Sequence, residues 1–200
     1  MKIGVLALQG DFGLHAKALA RCGVEAVEVR KPEQLLDLDG LIIPGGEATT
    51  LLKLMDAWNF MPAIEKLHGE GKPIFGTCAG LIILARGVEN PRQASLGLID
   101  VDVERNAYGR QRESFEARGQ AELEVPVPME MVFIRAPRIL RLGPGVKVIA
   151  RHGDETVMVS EGTVLVATFH PELTDDPAVH RYFCRLVERA ARERAQSHRA

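Results

Sequence analysis

Residues 73–84, Pro73-Ile74-Phe75-Gly76-Thr77-Cys78-Ala79-Gly80-Leu81-Ile82-Ile83-Leu84, constrain the fold of this chain more than any other stretch. A short apolar run suited to a buried strand passes through Gly-Thr-Cys-Ala-Gly into a second apolar run at helical spacing. Small residues around Cys78 let the backbone turn sharply from strand to helix, the geometry of a nucleophile elbow. A cysteine at such a turn lies at a helix N-terminus, where unpaired N–H groups and the helix dipole favour a thiolate. The local pattern also suits a small cysteine that merely packs the strand–helix junction. Its partners decide between the two.

The first half of the chain alternates strand and helix patterns. Ile3 to Leu8 is an apolar run closed by Gln9-Gly10-Asp11, and Leu14 to Arg21 has a helical apolar face. Val24 to Val29 alternates as a half-exposed strand does, and Pro32 to Leu36 suggests one helical turn. Leu41-Ile42-Ile43 is a strand ending in Pro44-Gly45-Gly46-Glu47-Ala48-Thr49-Thr50, and Leu51 to Leu67 reads as a helix interrupted near Pro62. Strands separated by helices form βαβ units, hence a parallel sheet with helices on both faces. In that architecture ligands bind at the carboxyl ends of strands, so Cys78, Gly45-Gly46 and Gln9-Gly10 should converge.

The second half is different. Leu98 to Arg105 alternates apolar and acidic residues, as an antiparallel or edge strand does. Tyr108 to Gly119 reads as a loop or exposed excursion. Met131 to Ile134, Val146 to Arg151, Thr156 to Ser160 and Val164 to Phe169 are short strands. Asp176 to Ala195 is an amphipathic helix with Pro177 in its first turn, and Arg194 to Ala200 are expected to fray. The expectation is an α/β protein with a three-layer, doubly wound mixed sheet, folded as a single domain over residues 1–200.

With 25 basic against 27 acidic residues, the chain makes no electrostatic case for nucleic acid or an anionic membrane. No apolar run reaches the roughly 18 residues of a membrane span, and residues 1–8 lack a signal-peptide cleavage pattern. Three scattered cysteines (Cys22, Cys78, Cys184) argue for free thiols in a reducing cytoplasm, not a disulfide framework or zinc site. Neither a metal nor a cofactor is expected.

A thiol nucleophile needs a base, and the base needs an orienting group. His170-Pro171-Glu172 directly follows the apolar strand Val164 to Phe169. Residues two apart on extended chain share a side, so Glu172 can reach one imidazole nitrogen while the other faces Cys78. Taken singly, His170 also fits a strand-end histidine bonded to a loop carbonyl, and Glu172 a helix-cap contact. The remaining histidines, His15 among them, read as surface or packing residues. Acyl transfer needs oxyanion donors: the N–H of Ala79 is one, and Gly45-Gly46 can aim a second, although Gly-Gly also suits an ordinary βα turn. Glu47 could hold a substrate amino group. Arg105 and Arg135, if not simply surface arginines, could hold its carboxylate.

Taken together, Gly-Thr-Cys78-Ala-Gly, Pro-Gly-Gly-Glu47 and His170-Pro-Glu172 resemble the class I (triad) glutamine amidotransferases. Leu8-Gln9-Gly10, Pro44 to Thr50, Gly76 to Ile82, Val103-Glu104-Arg105-Asn106, Phe133 to Pro137 and Phe169 to Thr174 are similar, more narrowly, to the glutaminase subunits of two-subunit pyridoxal 5′-phosphate synthases. The resemblance implies a flavodoxin-like fold and a Cys78, His170, Glu172 triad. It places glutamine against Gly46, Glu47, Ala48, Arg105, Ile134 and Arg135. It further implies an ammonia-consuming partner, a barrel-shaped synthase subunit in a large hetero-oligomer, with Gln9 and Gly10 at the interface. Two positions depart from the family pattern. Ala48 stands where a serine is usual, removing a hydroxyl beside the substrate, and Leu14 stands where an acidic interface residue is frequent. Two competing readings are a cysteine peptidase or γ-glutamyl hydrolase on the same fold, and a non-catalytic docking subunit.

Overall fold

The computed structural model describes residues 1–105, 107, 114–123 and 126–197. The first half of the chain forms β1 (Ile3–Leu6), α1 (Phe12–Arg21), β2 (Ala26–Val29), β3 (Gly40–Ile43), α2 (Ala48–Ala57), α3 (Phe60–Gly69), β4 (Ile74–Thr77) and α4 (Ala79–Leu84). The second half adds β5 (Ala85–Glu89), β6 (Ile99–Glu104), β7 (Ser114–Glu122), β8 (Pro126–Ile134), β9 (Arg138–Leu142), β10 (Lys147–His152), β11 (Glu155–Glu161), β12 (Val164–Ala167) and α5 (Ala178–Ser197). Among the described residues the strands form a nine-stranded sheet, ordered β2-β1-β3-β4-β12-β11-β10-β7-β8, and a three-stranded sheet, β5-β6-β9. The run from β2 to β12 is parallel, and every later pairing in the large sheet is antiparallel.

The strand pleat distributes the apolar runs between two cores. Leu41 and Ile43, Ile74, Val164 and Val166 face one core with α2, α3, α4 and the small sheet. Ile42, Phe75, Leu165 and Ala167 face the other, with Leu19 of α1, Phe183 and Val187 of α5, and Met131 and Phe133 of β8. All nine of these residues of β3, β4 and β12 are fully buried. Two-sided burial is why those strands read as continuous apolar runs without alternation. Each large side chain so buried contributes about 1.5–3 kcal/mol.

Several elements differ from expectation. The helical stretch after Leu51 breaks at Asn59, which adopts φ 58°, and not at Pro62. Pro62 lies in the first turn of α3, where a missing N–H costs no intrahelical bond. β6 is the centre of the small sheet, parallel to β5 and antiparallel to β9. Residues 114–119, expected as loop, are strand. They pair with β8 over the whole of β7, from Ser114 opposite Ile134 to Glu122 opposite Pro126. Pro128 fits because β8 is an edge strand, where one N–H can be missing. Phe115 stacks on Phe133 with ring centroids 4.6 Å apart, anchoring the hairpin. The rest of the expected 108–119 excursion lies outside the described residues. Helix α5 runs to Ser197, beyond the point where fraying is expected, and Arg194 donates to the carbonyl of Gly71 at 2.8 Å. Residues 198–200 lie outside the described residues.

The glycines of Gly76-Thr77-Cys78-Ala79-Gly80 permit close approach. A Cβ on Gly76 would meet the backbone of Gly80 at 2.6 Å, and one on Gly80 would overlap the carbonyl of Ile43. The start of α4 therefore sits directly on the ends of β3 and β4. Gly80→Ala should destabilise the protein by about 1–3 kcal/mol, the range of an overpacked core site. Urea unfolding followed by circular dichroism would read this, and an unchanged midpoint would contradict the packing.

Candidate active site

Cys78 sits between β4 and α4 with φ 47° and ψ −100°. A left-handed conformation at a non-glycine residue costs of order 1–3 kcal/mol and survives only where its surroundings impose it. Here β12 imposes part of it, since the Cys78 N–H donates to the carbonyl of Ala167 at 2.9 Å. The side chain is 6% exposed, and Sγ lies 3.8 Å from the carbonyl oxygen of Ile134 at the end of β8.

His170 follows β12 and precedes the 3₁₀ turn Pro171–Leu173 that carries Glu172. Its backbone N–H donates to the carbonyl of Val132 at 2.8 Å, which ties the strand end to β8. Nδ1 lies 2.7 Å from Oε1 of Glu172. Nε2 is buried without a hydrogen-bond partner among the described residues, and His170 interacts electrostatically with the Cys78 sulfur. Burial opposes a charge on His170, but Cys78 and Glu172 outweigh it and push the imidazole up to about 10. Burial opposes the charge on Glu172 as well, yet His15 and His170 hold it below the ordinary carboxylate range.

The loops after β1 and β3 converge above this pair. A Cβ on Gly45 would overlap the His170 ring, so only glycine lets the loop pass there. Gly46 has φ 145°, and a Cβ on it would collide with the Gln9 amide. Oε1 of Gln9 accepts from the N–H of Glu47 at 3.1 Å, and Gly10 (φ 92°) packs on the Gly45 carbonyl. Gln9 and Gly10 thus brace the glycine loop.

A cavity of about 350 Å³ opens beside Cys78 and His170, within the usual size range for small-molecule sites. Its lining includes Gly46, Glu47, Ala48, Arg105, Ile134 and Arg135, together with Asp11. Glu47 caps α2, accepting from the N–H groups of Thr49 (3.1 Å) and Thr50 (2.7 Å) and from the Thr50 hydroxyl (2.7 Å). Burial works against its charge, but these bonds hold the carboxyl at about 2. Arg105 is braced by Gln93 (2.5 Å), Thr49 (3.0 Å) and Glu47 (3.4 Å). Arg135 is exposed and has φ 44°. Of the residues singled out in the sequence, Cys78, His170, Gly46, Glu47, Ala48, Arg105, Ile134 and Arg135 line this cavity, and Gln9, Gly10 and Gly45 lie in the adjoining loops. Glu172 stands behind His170 and Ala79 is fully buried at the start of α4, neither lining it. Glu47 and Arg105 differ from expectation in pairing with each other as well as facing the cavity.

The sequence reading missed the layer beneath. His15 and His180 are fully buried. Nδ1 of His15 lies 2.9 Å from Nε2 of His180, while Nε2 of His15 lies 3.2 Å from the Thr77 hydroxyl and 3.4 Å from Oε2 of Glu172. Burial lowers His15 and, with His15 adding to it, brings His180 down to about 3. The only signal in the sequence was the place of His15, one turn beyond Gln9-Gly10. Asp11 approaches from the loop side, with one ligand atom each of Asp11, His170 and Glu172 within 4.8 Å of one another. Two of those three are already paired as imidazole and carboxylate, so this group belongs to the electrostatics of the pair.

Among the described residues, no helix is long and apolar enough to cross a membrane. Comparison with known proteins defines the class: the chain is a glutamine amidotransferase. It belongs to the SNO glutamine amidotransferase family, whose profile matches residues 5–189. It is 54% identical over 194 residues to the pyridoxal 5′-phosphate synthase subunit PdxT of Pelotomaculum thermopropionicum, covering 95% of this chain and 97% of that protein. The PdxT of Koribacter versatilis is 53% identical over 189 residues, with 94% and 96% covered. A solved glutamine amidotransferase matches with a TM-score of 0.88 at 51% identity, covering 93% of this chain and 98% of that one. The structure of PurLQS from Thermotoga maritima, 16% identical with a TM-score of 0.64, shares the fold over 94% of this chain and 96% of that one.

The titrations have opposite signs. His15 and His180 are lowered on folding, so their contribution to stability is complete above about 6.5 and is lost as pH falls below it. Glu172, also lowered, acts in the same direction. His170 is raised, so its contribution is complete below 6.5 and is lost as pH rises through about 10. Melting temperature should therefore peak near the ordinary histidine value of about 6.5. His180→Phe should flatten the acid side and His170→Asn the alkaline side. Thermal melts across pH check this, and a curve flat from neutrality into the acid range would contradict it.

Proposed function

We propose that this chain is the glutaminase subunit of a pyridoxal 5′-phosphate synthase, and that Cys78, His170 and Glu172 carry the hydrolysis of glutamine. The thiolate of Cys78 attacks the side-chain amide carbon. The N–H of Ala79 and the Gly45-Gly46 loop receive the oxyanion. His170, held by Glu172, gives a proton to the departing ammonia, leaving a γ-glutamyl thioester. Water activated by the same imidazole then releases glutamate. The observation that carries this reading is the bond of His170 Nδ1 to Glu172, which leaves Nε2 unpartnered on the side of the strained Cys78 turn.

The cavity supports a free amino acid as substrate. Arg135 offers a guanidinium fork to the α-carboxylate, and Glu47, fixed by Arg105 and the first turn of α2, offers a carboxylate to the α-ammonium. A peptide would leave both charges facing neutral amides. Ala48 contributes only its backbone, so substrate contact there is poorer by one hydroxyl than in the usual family pattern.

The relatives' names make them subunits of a synthase, which supports a synthase subunit as the consumer of the ammonia. We place its docking surface at the Gln9-Gly10 loop, because that loop braces Gly45-Gly46 and can pass on a docking event to the oxyanion hole. A barrel-shaped partner in a large hetero-oligomer fits this role, as does a reducing cytoplasm in which Cys78 stays a free thiol.

Cys78→Ala should abolish ammonia release from glutamine, with or without the synthase, while leaving the melting curve cooperative. Retained activity would overturn the assignment. Glu172→Ala should lose roughly ten- to a hundredfold less than Cys78→Ala, as an orienter does in other triads. Arg135→Lys, which keeps the charge but loses the fork, should raise KM by about tenfold with kcat changed by less than about threefold. Steady-state ammonia assays separate these outcomes.

A further inference from the structure

We propose that His15 is a positioning residue of the glutaminase reaction, a neutral imidazole that holds the Glu172 carboxylate and the Cys78 turn in register. The inference rests on the triad reading above and adds a residue to it.

The argument starts from what each atom can do. Oxygens of an ionised carboxylate only accept hydrogen bonds. Oε1 of Glu172 takes the Nδ1–H of His170 at 2.7 Å. Oε2 is buried and makes no hydrogen bond among the described residues; Nε2 of His15 lies 3.4 Å from it. The proton is therefore assigned to Nε2 of His15, where it faces Oε2 and donates to the Thr77 hydroxyl at 3.2 Å. That tautomer makes Nδ1 of His15 an acceptor, and Nε2 of His180 the donor to it at 2.9 Å. His180 is left with a bare Nδ1, which is indeed buried without a partner. One tautomer choice thus sets the direction of the whole chain, from His180 through His15 to Glu172.

Burial keeps both rings neutral, so the chain delivers a dipole to Glu172 and no counter-charge. A cation in that place would compete with His170 for the carboxylate. At 3.4 Å the approach of His15 to Glu172 stops short of a formed hydrogen bond, as catalytic contacts often do before substrate arrives. Thr77 immediately precedes Cys78, so the same nitrogen reaches both Glu172 and the residue that leads into the Cys78 turn. His15 also stands on α1, whose first turn follows Gln9-Gly10. The titratable groups around this chain are Asp11 on the α1 side, His170 beside Glu172, and Arg21 acting on His180.

The test measures glutaminase activity and its pH profile for His15→Leu and His15→Gln in the complete chain, beside Cys78→Ala. A glutamine side chain can place an N–H near the position of Nε2, and a leucine cannot. His15→Leu should lower kcat by roughly tenfold or more with KM within about threefold, since it disturbs the reacting groups and not the substrate contacts. Without the donor, Glu172 ionises less readily, so the acid limb of the kcat profile should move to higher pH. His15→Gln should recover most of the rate and return the limb. If His15→Leu fails to fold, His15→Asn replaces it, because its shorter amide reaches the Nδ1 position and not Nε2. Equal rates and profiles for the glutamine variant and the leucine or asparagine variant would overturn the proposal, as would wild-type kinetics in a folded leucine variant. Activity surviving in Cys78→Ala would instead overturn the triad reading itself.

Discussion

The backbone at Cys78 is the constraint on which the rest of the site depends. A left-handed turn at a residue with a side chain is unfavourable by itself, so the surroundings must offset it. They do so by contact: Gly80 lies against the Ile43 carbonyl, Gly76 against Gly80, and the Cys78 N–H bonds to Ala167. Three adjacent parallel strands, β3, β4 and β12, therefore converge on one turn. Fully buried side chains on both faces of these strands hold them in place. The result is a thiol lifted out of the backbone path at the carboxyl end of the sheet, where α4 begins.

A single tight turn does not activate a thiol, and the second requirement is electrostatic. His170 and Glu172 are both buried, which alone would discharge them. Mutual pairing and the nearby sulfur reverse that tendency, leaving a raised imidazole and a lowered carboxyl. Beneath them His15 and His180 follow the opposite rule, because no full counter-charge is close enough to outweigh burial for either ring. Four ionisable groups thus sit within one buried network in two charge regimes. The boundary between them falls where Glu172 faces His15.

The motifs around Cys78, His170 and Gly45 were legible because each is local. Gly76 to Gly80 specify a turn, His170-Pro171-Glu172 place two side chains on one side of a strand end, and Gly45-Gly46 mark a loop with room for close approach. Family resemblance then added Ala48 and Ile134, which no local pattern assigns. The β7–β8 hairpin was less legible. Its alternation is interrupted in β8 by Pro126 and Pro128 and gives way to an unbroken apolar run, Met131 to Ile134. Only the pairing with β10 and the Phe115–Phe133 stack make it a strand pair. That hairpin delivers Ile134 and Arg135 to the cavity, so part of its lining depended on an element the periodicity obscured.

What the amino-acid sequence determined by itself is the set of short-range geometries: parallel strands from continuous apolar runs, an elbow from small residues around a cysteine, and a base with its orienter two residues apart. These follow from backbone sterics and side-chain period, which act over a few residues. Tertiary structure alone decided which distant groups meet. Arg105 braces Glu47 across 58 positions, and His15 reaches Glu172 and His180 across the interior. A histidine inside an ordinary helical pattern carries no mark of its destination, because burial and partners are properties of the packed elements and not of the segment that supplies it.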